Sequence, residues 1–236
     1  MPDVVLETPR PLDAMYMSRG EEVDPYRPLF TGDVYMREGA HGDDASIVMI
    51  LQHPCALRIR GVNLVPNILV ATVRRSDKHR SDWNKESMRV MPLPDLLGDG
   101  DAYSADFVDI RIVPSDGFGP LWTRIAILSQ LGVNLLTQRW VHHNSRVVIK
   151  TITYNEESAG PFHEADLAAE WCMSLDGYEE SSVNSSLEKE FHNWIRQPSG
   201  EGVVTTRQQL LDDPQQRAAV RRALTVEIRD RRKKVS

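Results

Sequence analysis

Cysteine is scarce in this 236-residue chain: only Cys55 and Cys172 occur, far apart in sequence. Two cysteines do not make a disulfide framework, and such low usage fits a reducing compartment. No apolar run approaches the roughly 18–20 residues needed to cross a bilayer. The N-terminal stretch MPDVVLETPRP has acids and prolines but no basic region followed by an apolar one, so no secretory leader is expected. These readings predict a cytoplasmic protein without a membrane partner. Also missing are a Walker loop, Gly-x-Gly-x-x-Gly, Gly-x-Ser-x-Gly and His-Glu-x-x-His. Nucleotide cofactors, serine hydrolase chemistry and zinc peptidase chemistry are disfavoured accordingly, and no cofactor is expected.

What is present is ordinary in bulk and uneven in distribution. Hydrophobic residues make up 41% and charged residues 26% of the chain, as in a folded globular protein. The net charge is −6, yet from Arg217 onward eight Lys/Arg stand against Glu227 and Asp230. A basic tail on an acidic body can meet nucleic acid or pair with the body itself. The low pI of about 5.7 argues against a broad nucleic-acid-binding surface.

The apolar pattern has period two in the first half. Residues 1–29 hold five of the fourteen prolines and read as an extended arm. A turn at 30–33 feeds a strand over Val34–Met36, and His41-Gly42-Asp43-Asp44 is a turn. Ile47–Leu51 is a short apolar run typical of a strand buried on both faces, stopped by Pro54. Residues 67–73, 88–91, 107–113 and 122–128 read as further strands, with 74–87 as an exposed polar loop. Short strands between turn signals are the pattern of a small barrel or sandwich.

The second half changes period. Leu131, Leu135, Leu136 and Trp140 share a helical face, and that helix is expected to reach about Asn144. Val147–Tyr154 is β-branched and reads as a returning strand. Gly160-Pro161 is expected to open a helix carrying Leu167, Trp171 and Leu175. Ser185-x-x-Glu188 is a capping box before Leu187, Phe191, Trp194 and Ile195. Asp213-Pro214, with Gln216, caps the basic final helix. Trp122, Trp140, Trp171 and Trp194 are expected in the core. The architecture predicted is α+β: an arm over 1–29, a β-barrel over 30–155 and a helical extension over 156–236.

Residues 31–130 resemble the MazF/PemK-type toxins. Gly32-Asp33-Val34-Tyr35 is similar to that family's opening strand, Ile47–Leu51 and Ile68–Val73 to its next two, and Ile125–Gln130 to its late Val-Ala-Asn-X-Ser-Gln segment. The resemblance implies an SH3-like barrel and RNA cleavage, with Thr72 at the place of the family's third-strand hydroxyl. Where the family carries an Arg before the second strand, this chain has Asp44-Ala45-Ser46.

Three constellations could carry chemistry. Cys55 is a candidate nucleophile, with His53, Arg58 and Arg60 near it in sequence to lower a thiol pKa. His53, Cys55, His142, His143, His163 and Cys172 are zinc ligands in type, but none has paired ligand spacing, and no metal site is expected. Arg74, Arg75, Lys78 and Arg80 surround Trp83, a mixture suited to gripping and stacking single-stranded nucleic acid, to which Arg58 and Arg60 could add charge.

Two main readings follow, with a third beside them. The first is a toxin-like RNA-binding or metal-independent endoribonuclease module, with Thr72 for hydroxyl contact, Arg74 and Arg58 for phosphate charge, and His53 for proton transfer. The second is a non-enzymatic barrel that binds a protein through its C-terminal helices. A Cys55-dependent hydrolase or transferase is the third. Single-stranded RNA or a protein is the expected partner, and a homodimer is compatible with each.

Overall fold

A computed structural model of the chain describes residues 5–37, 46–76, 83, 88–175 and 185–235. The turn expected at His41–Asp44 lies outside them. Two compact units form, one from Met1–Val23, Phe30–His53 and Pro66–Asn155, the other from Asp24–Leu29, Pro54–Val65 and Glu156–Ser236.

The strands are β1 (Tyr16–Arg19), β2 (Val34–Arg37), β3 (Ile47–Ile50), β4 (Arg58–Ile59), β5 (Asn63–Leu64), β6 (Asn67–Ser76), β7 (Val90–Pro94), β8 (Ala102–Pro114) and β9 (Trp122–Leu128). The α-helices are α1 (Gln130–Ser145), α2 (Thr151–Leu175), α3 (Ser186–Ile195), α4 (Arg207–Leu210) and α5 (Arg217–Val235). The class is therefore α+β.

In the first unit seven strands make one antiparallel sheet in the order β1-β9-β2-β3-β6-β8-β7. All four residues of β3 are buried, as its unbroken apolar run requires. The sheet curls until its two outer strands meet through side chains. Tyr16 of β1 donates its hydroxyl to the Pro94 carbonyl of β7 at 3.0 Å, and Arg19 pairs with Asp95 at 3.2 Å. Gly32, at φ +85°, opens β2 where a Cβ would stand 2.7 Å from the Leu128 side chain. The next residue, Asp33, is fully buried; it accepts the Phe30 N–H at 3.0 Å and pairs with Arg124 at 3.3 Å.

Three expectations change at this level. The lead-in before residue 30 is not simply an arm, because β1 pairs with β9 along Tyr16–Arg19. Val147–Tyr154 does not form a strand: residues 146–150 are irregular and α2 begins at Thr151. The reason is long-range. Glu7 accepts the Thr151 N–H at 2.8 Å and its hydroxyl at 2.6 Å, placing a carboxylate on the free amides of the helix start. Gly160-Pro161 does not open a helix either, since Pro161 lies inside α2.

α1 matches its periodicity and is capped by Ser129, whose Oγ accepts the Gly132 N–H at 3.1 Å. In the second unit, Leu167, Trp171, Cys172, Phe191, Trp194, Ile195, Leu211, Leu224 and Ile228 form one core. Trp122, Trp171 and Trp194 are buried as expected, and Trp140 is half-buried.

Candidate functional site

β6 carries three of the residues singled out from the sequence. Thr72 lies opposite Val48 of β3 and Asp106 of β8, and it is 6% exposed. Arg74 extends outward between two carboxylates, Asp109 at 2.5 Å and Asp106 at 3.7 Å. Arg75 pairs with Asp101 at 2.5 Å. Burial works to raise the Asp109 pKa, but the Thr72 hydroxyl and the charges of Arg111 and Arg74 outweigh it and lower the value. The two arginines therefore sit in a local balance of charge.

Trp83 does not stand in an exposed loop for base stacking. It is 1% exposed, with the Arg139 guanidinium 4.9 Å from its ring centroid. An indole leaving water for a buried cation face gains both apolar burial and electrostatic attraction, which outweighs the polarity of its neighbours in sequence. Arg139 is itself buried and donates to the Trp83 carbonyl at 3.2 Å. Burial lowers its pKa to about 10. Lys78 and Arg80 lie outside the described residues.

His53 is exposed at the end of its stretch of the first unit. Cys55, Arg58 and Arg60 belong to the second unit. Cys55 is exposed on a short helical turn, Pro54–Ala56, and takes part in no disulfide. Arg60 is exposed at φ +53° in the turn between β4 and β5. Arg58 is not a surface phosphate contact: its side chain is 9% exposed and pairs with Glu188 at 2.8 Å. Thr72, Arg74 and Arg75 thus share one strand, whereas Cys55, Arg58 and Arg60 share a hairpin region of the other unit.

Arg58 leads into a cluster that the sequence reading missed. His192 is 3% exposed between two buried carboxylates, with Nδ1 3.0 Å from Glu164 and Nε2 3.6 Å from Glu188. Arg196 pairs with Glu164 at 3.0 Å, and Gln208 donates to the same carboxylate at 2.9 Å. Burial disfavours the charge on Glu188, yet the nearby His192 ring and the Arg58 guanidinium prevail and hold its pKa at about 2. Glu164 is lowered in the same way, by His192 and Arg196 against burial.

A signal for this cluster was present. Glu188, His192 and Arg196 recur every four residues, so they line one face of α3. Ser185 does cap α3 through the Glu188 N–H, but the Glu188 carboxylate turns to Arg58 rather than back to the helix start. The arrangement joins α2, α3, α4 and the β4 strand through compensated charge.

Surface grooves add to the second unit's chemistry. One, of about 530 Å³ between α2 and α5, brings Arg229, Arg232 and Lys233 around Ile228 and Glu170. Its carboxylate is already held by Arg221 at 2.9 Å. A smaller one of about 250 Å³ includes His163, Asp166, Arg217 and Arg221. Burial and the charge of Arg217 lower the His163 pKa.

No protein-family model matches the chain, and no curated protein matches it significantly.

Proposed function

We propose that the protein is a non-catalytic binding module whose helical unit holds an acidic segment of a partner protein. The α2–α5 groove carries this reading. Three cations line it, and the one carboxylate among them is occupied by Arg221. Arg232 is fixed in place by donating to the Ser174 carbonyl at 3.0 and 2.6 Å. Arg229 and Lys233 share Asp230, each at 3.7 Å, so two exposed cations meet one carboxylate there. Ile228 supplies an apolar floor, the usual complement to charge in peptide recognition. In this reading the curled sheet of the first unit is an SH3-like barrel.

The toxin-like RNA reading draws its support from strand order and from the exposed Arg74 and Arg75. Against it stand the burial of Thr72 and Trp83 and the carboxylate partner on each of Arg58, Arg74 and Arg75.

One experiment separates them. A labelled glutamate-rich peptide and a mixed single-stranded RNA pool are each incubated with wild type and with Arg229→Glu/Lys233→Glu. The module reading expects salt-sensitive peptide binding that the charge reversal abolishes, with RNA left intact. Equal peptide binding by both proteins would overturn it. So would metal-independent RNA cleavage that Thr72→Ala or Arg74→Ala removes, which would establish the nuclease reading instead.

A further inference from the structure

The smaller groove between α2 and α5 gathers a different set of groups. It holds about 250 Å³ and has the buried Leu167 and Leu211 as its apolar wall. His163 enters it from α2, and Arg217 and Arg221 enter from the first two turns of α5. Arginines four residues apart share a helix face, where like charges repel. Placing a histidine beside them concentrates basic groups at one spot.

The carboxylates around this spot are already engaged. Asp166, on the same groove, pairs with the buried Arg27. Arg221 donates to Glu170 from Nε at 3.0 Å and from Nη2 at 2.9 Å. Arg217 differs. Its Nε donates to the Leu211 carbonyl at 2.8 Å, which fixes the plane of the guanidinium. Among the described residues, neither its two terminal nitrogens nor the His163 ring has a hydrogen-bond partner.

A guanidinium anchored through Nε still presents its far end as a two-pronged fork, suited to an oxyanion. A carboxylate could take that fork but would leave the imidazole without an acceptor. A phosphoryl group has three oxygens and about two negative charges at neutral pH, so it can meet the fork and the ring together. Burial, then the charges of Arg217 and Arg221, lower the His163 pKa, with Asp166 acting the other way. A dianion seated beside the ring reverses that balance and draws a proton onto it.

We propose that this groove binds a phosphate monoester, its phosphoryl group on the end of Arg217 and on the His163 ring, its carbon part against Leu167 and Leu211. None of the residues lining it lines the larger groove, so the site stands apart from the acidic-segment reading.

Isothermal titration calorimetry of the full chain with phenyl phosphate, inorganic phosphate and benzoate tests this, with thermal melting to confirm that each variant folds. Phenyl phosphate should bind saturably, and inorganic phosphate roughly tenfold more weakly for want of the apolar ring. Benzoate should bind more weakly than phenyl phosphate. Arg217→Lys keeps the charge but removes the fork, and should weaken phenyl phosphate binding by about fivefold or more. Titrations in two buffers of different ionisation enthalpy should show protons taken up on binding, and His163→Gln should bind without uptake. Arg229→Glu/Lys233→Glu, at physiological ionic strength, should bind phenyl phosphate as wild type does. Loss of binding there would move the ligand to the larger groove and overturn the proposal. So would the absence of saturable binding, indifference to Arg217→Lys, or heats that are the same in both buffers. Benzoate binding as tightly as phenyl phosphate would overturn the phosphoryl assignment, and inorganic phosphate doing so would make the free ion the ligand instead of the ester.

Discussion

At Glu188, burial and charge pairing oppose each other, and pairing prevails. Its carboxyl is held at about 2, below the ordinary 4.5, by His192 and Arg58 working against burial. A folded-state pKa below the unfolded one stabilises the fold above the unfolded value, and that contribution is lost as pH falls through the folded value. The Glu188 contribution is therefore complete above about pH 4.5 and disappears between there and about pH 2. Glu164, lowered as well, adds to the same acid loss. Urea unfolding at pH 7 and pH 3 checks this. Glu188→Gln should lower stability at pH 7 by about 3–5 kcal/mol, because Arg58 is left buried without its counter-charge. The variant should then lose less on acidification than wild type. An unchanged acid slope would remove Glu188 from this role.

Among the elements, α1 was the most legible and α2 the least. The leucines and Trp140 of α1 recur at helical spacing, and Ser129 supplies an ordinary cap. Close approach, though, does not show in that pattern. Gly132 sits in the first turn of α1, where an added Cβ would overlap the backbone carbonyl oxygen of Met15. Alanine is the better helix former by about 1 kcal/mol, but a backbone atom cannot step aside as a flexible side chain can. Gly132→Ala should therefore destabilise the protein by about 1–3 kcal/mol in thermal or urea unfolding. A neutral or stabilising result would show that α1 can retreat from Met15. α2 was misread for the complementary reason. The run Val147–Tyr154 has the composition of a strand, but Glu7, 144 residues before Thr151, captures the helix start. No window on local sequence contains both partners. The charged network was half legible: the four-residue spacing of Glu188, His192 and Arg196 was readable, whereas its partners Arg58 and Glu164 come from distant segments.

For the first unit as a whole, closure of the curled sheet depends on side chains rather than on a backbone ladder. Tyr16 and Arg19 bridge to Pro94 and Asp95 across the two outer strands. Tyr16→Phe keeps the ring and removes the hydroxyl, so it should cost about 0.5–1.5 kcal/mol. Hydrogen exchange is expected to rise in β1 and β7 more than in β3. Uniform exchange across the sheet would mean that the bridge does not govern closure.

Composition and periodicity by themselves determined an α+β chain, a buried strand at Ile47–Leu51, the apolar face of α1, the Ser185 cap of α3, and a basic last helix. These are local properties, set by which residues repeat at spacing two or near four. Tertiary structure alone decided which charges are spent. Arg58 went to Glu188, Arg74 to Asp109 and Arg75 to Asp101, while Trp83 was buried on Arg139. It likewise gathered Arg229, Arg232 and Lys233 beside α2. The physical reason is range: a side chain's propensity acts within a few residues, but its counter-charge or its packing partner is supplied by whichever distant segment the folded chain brings against it.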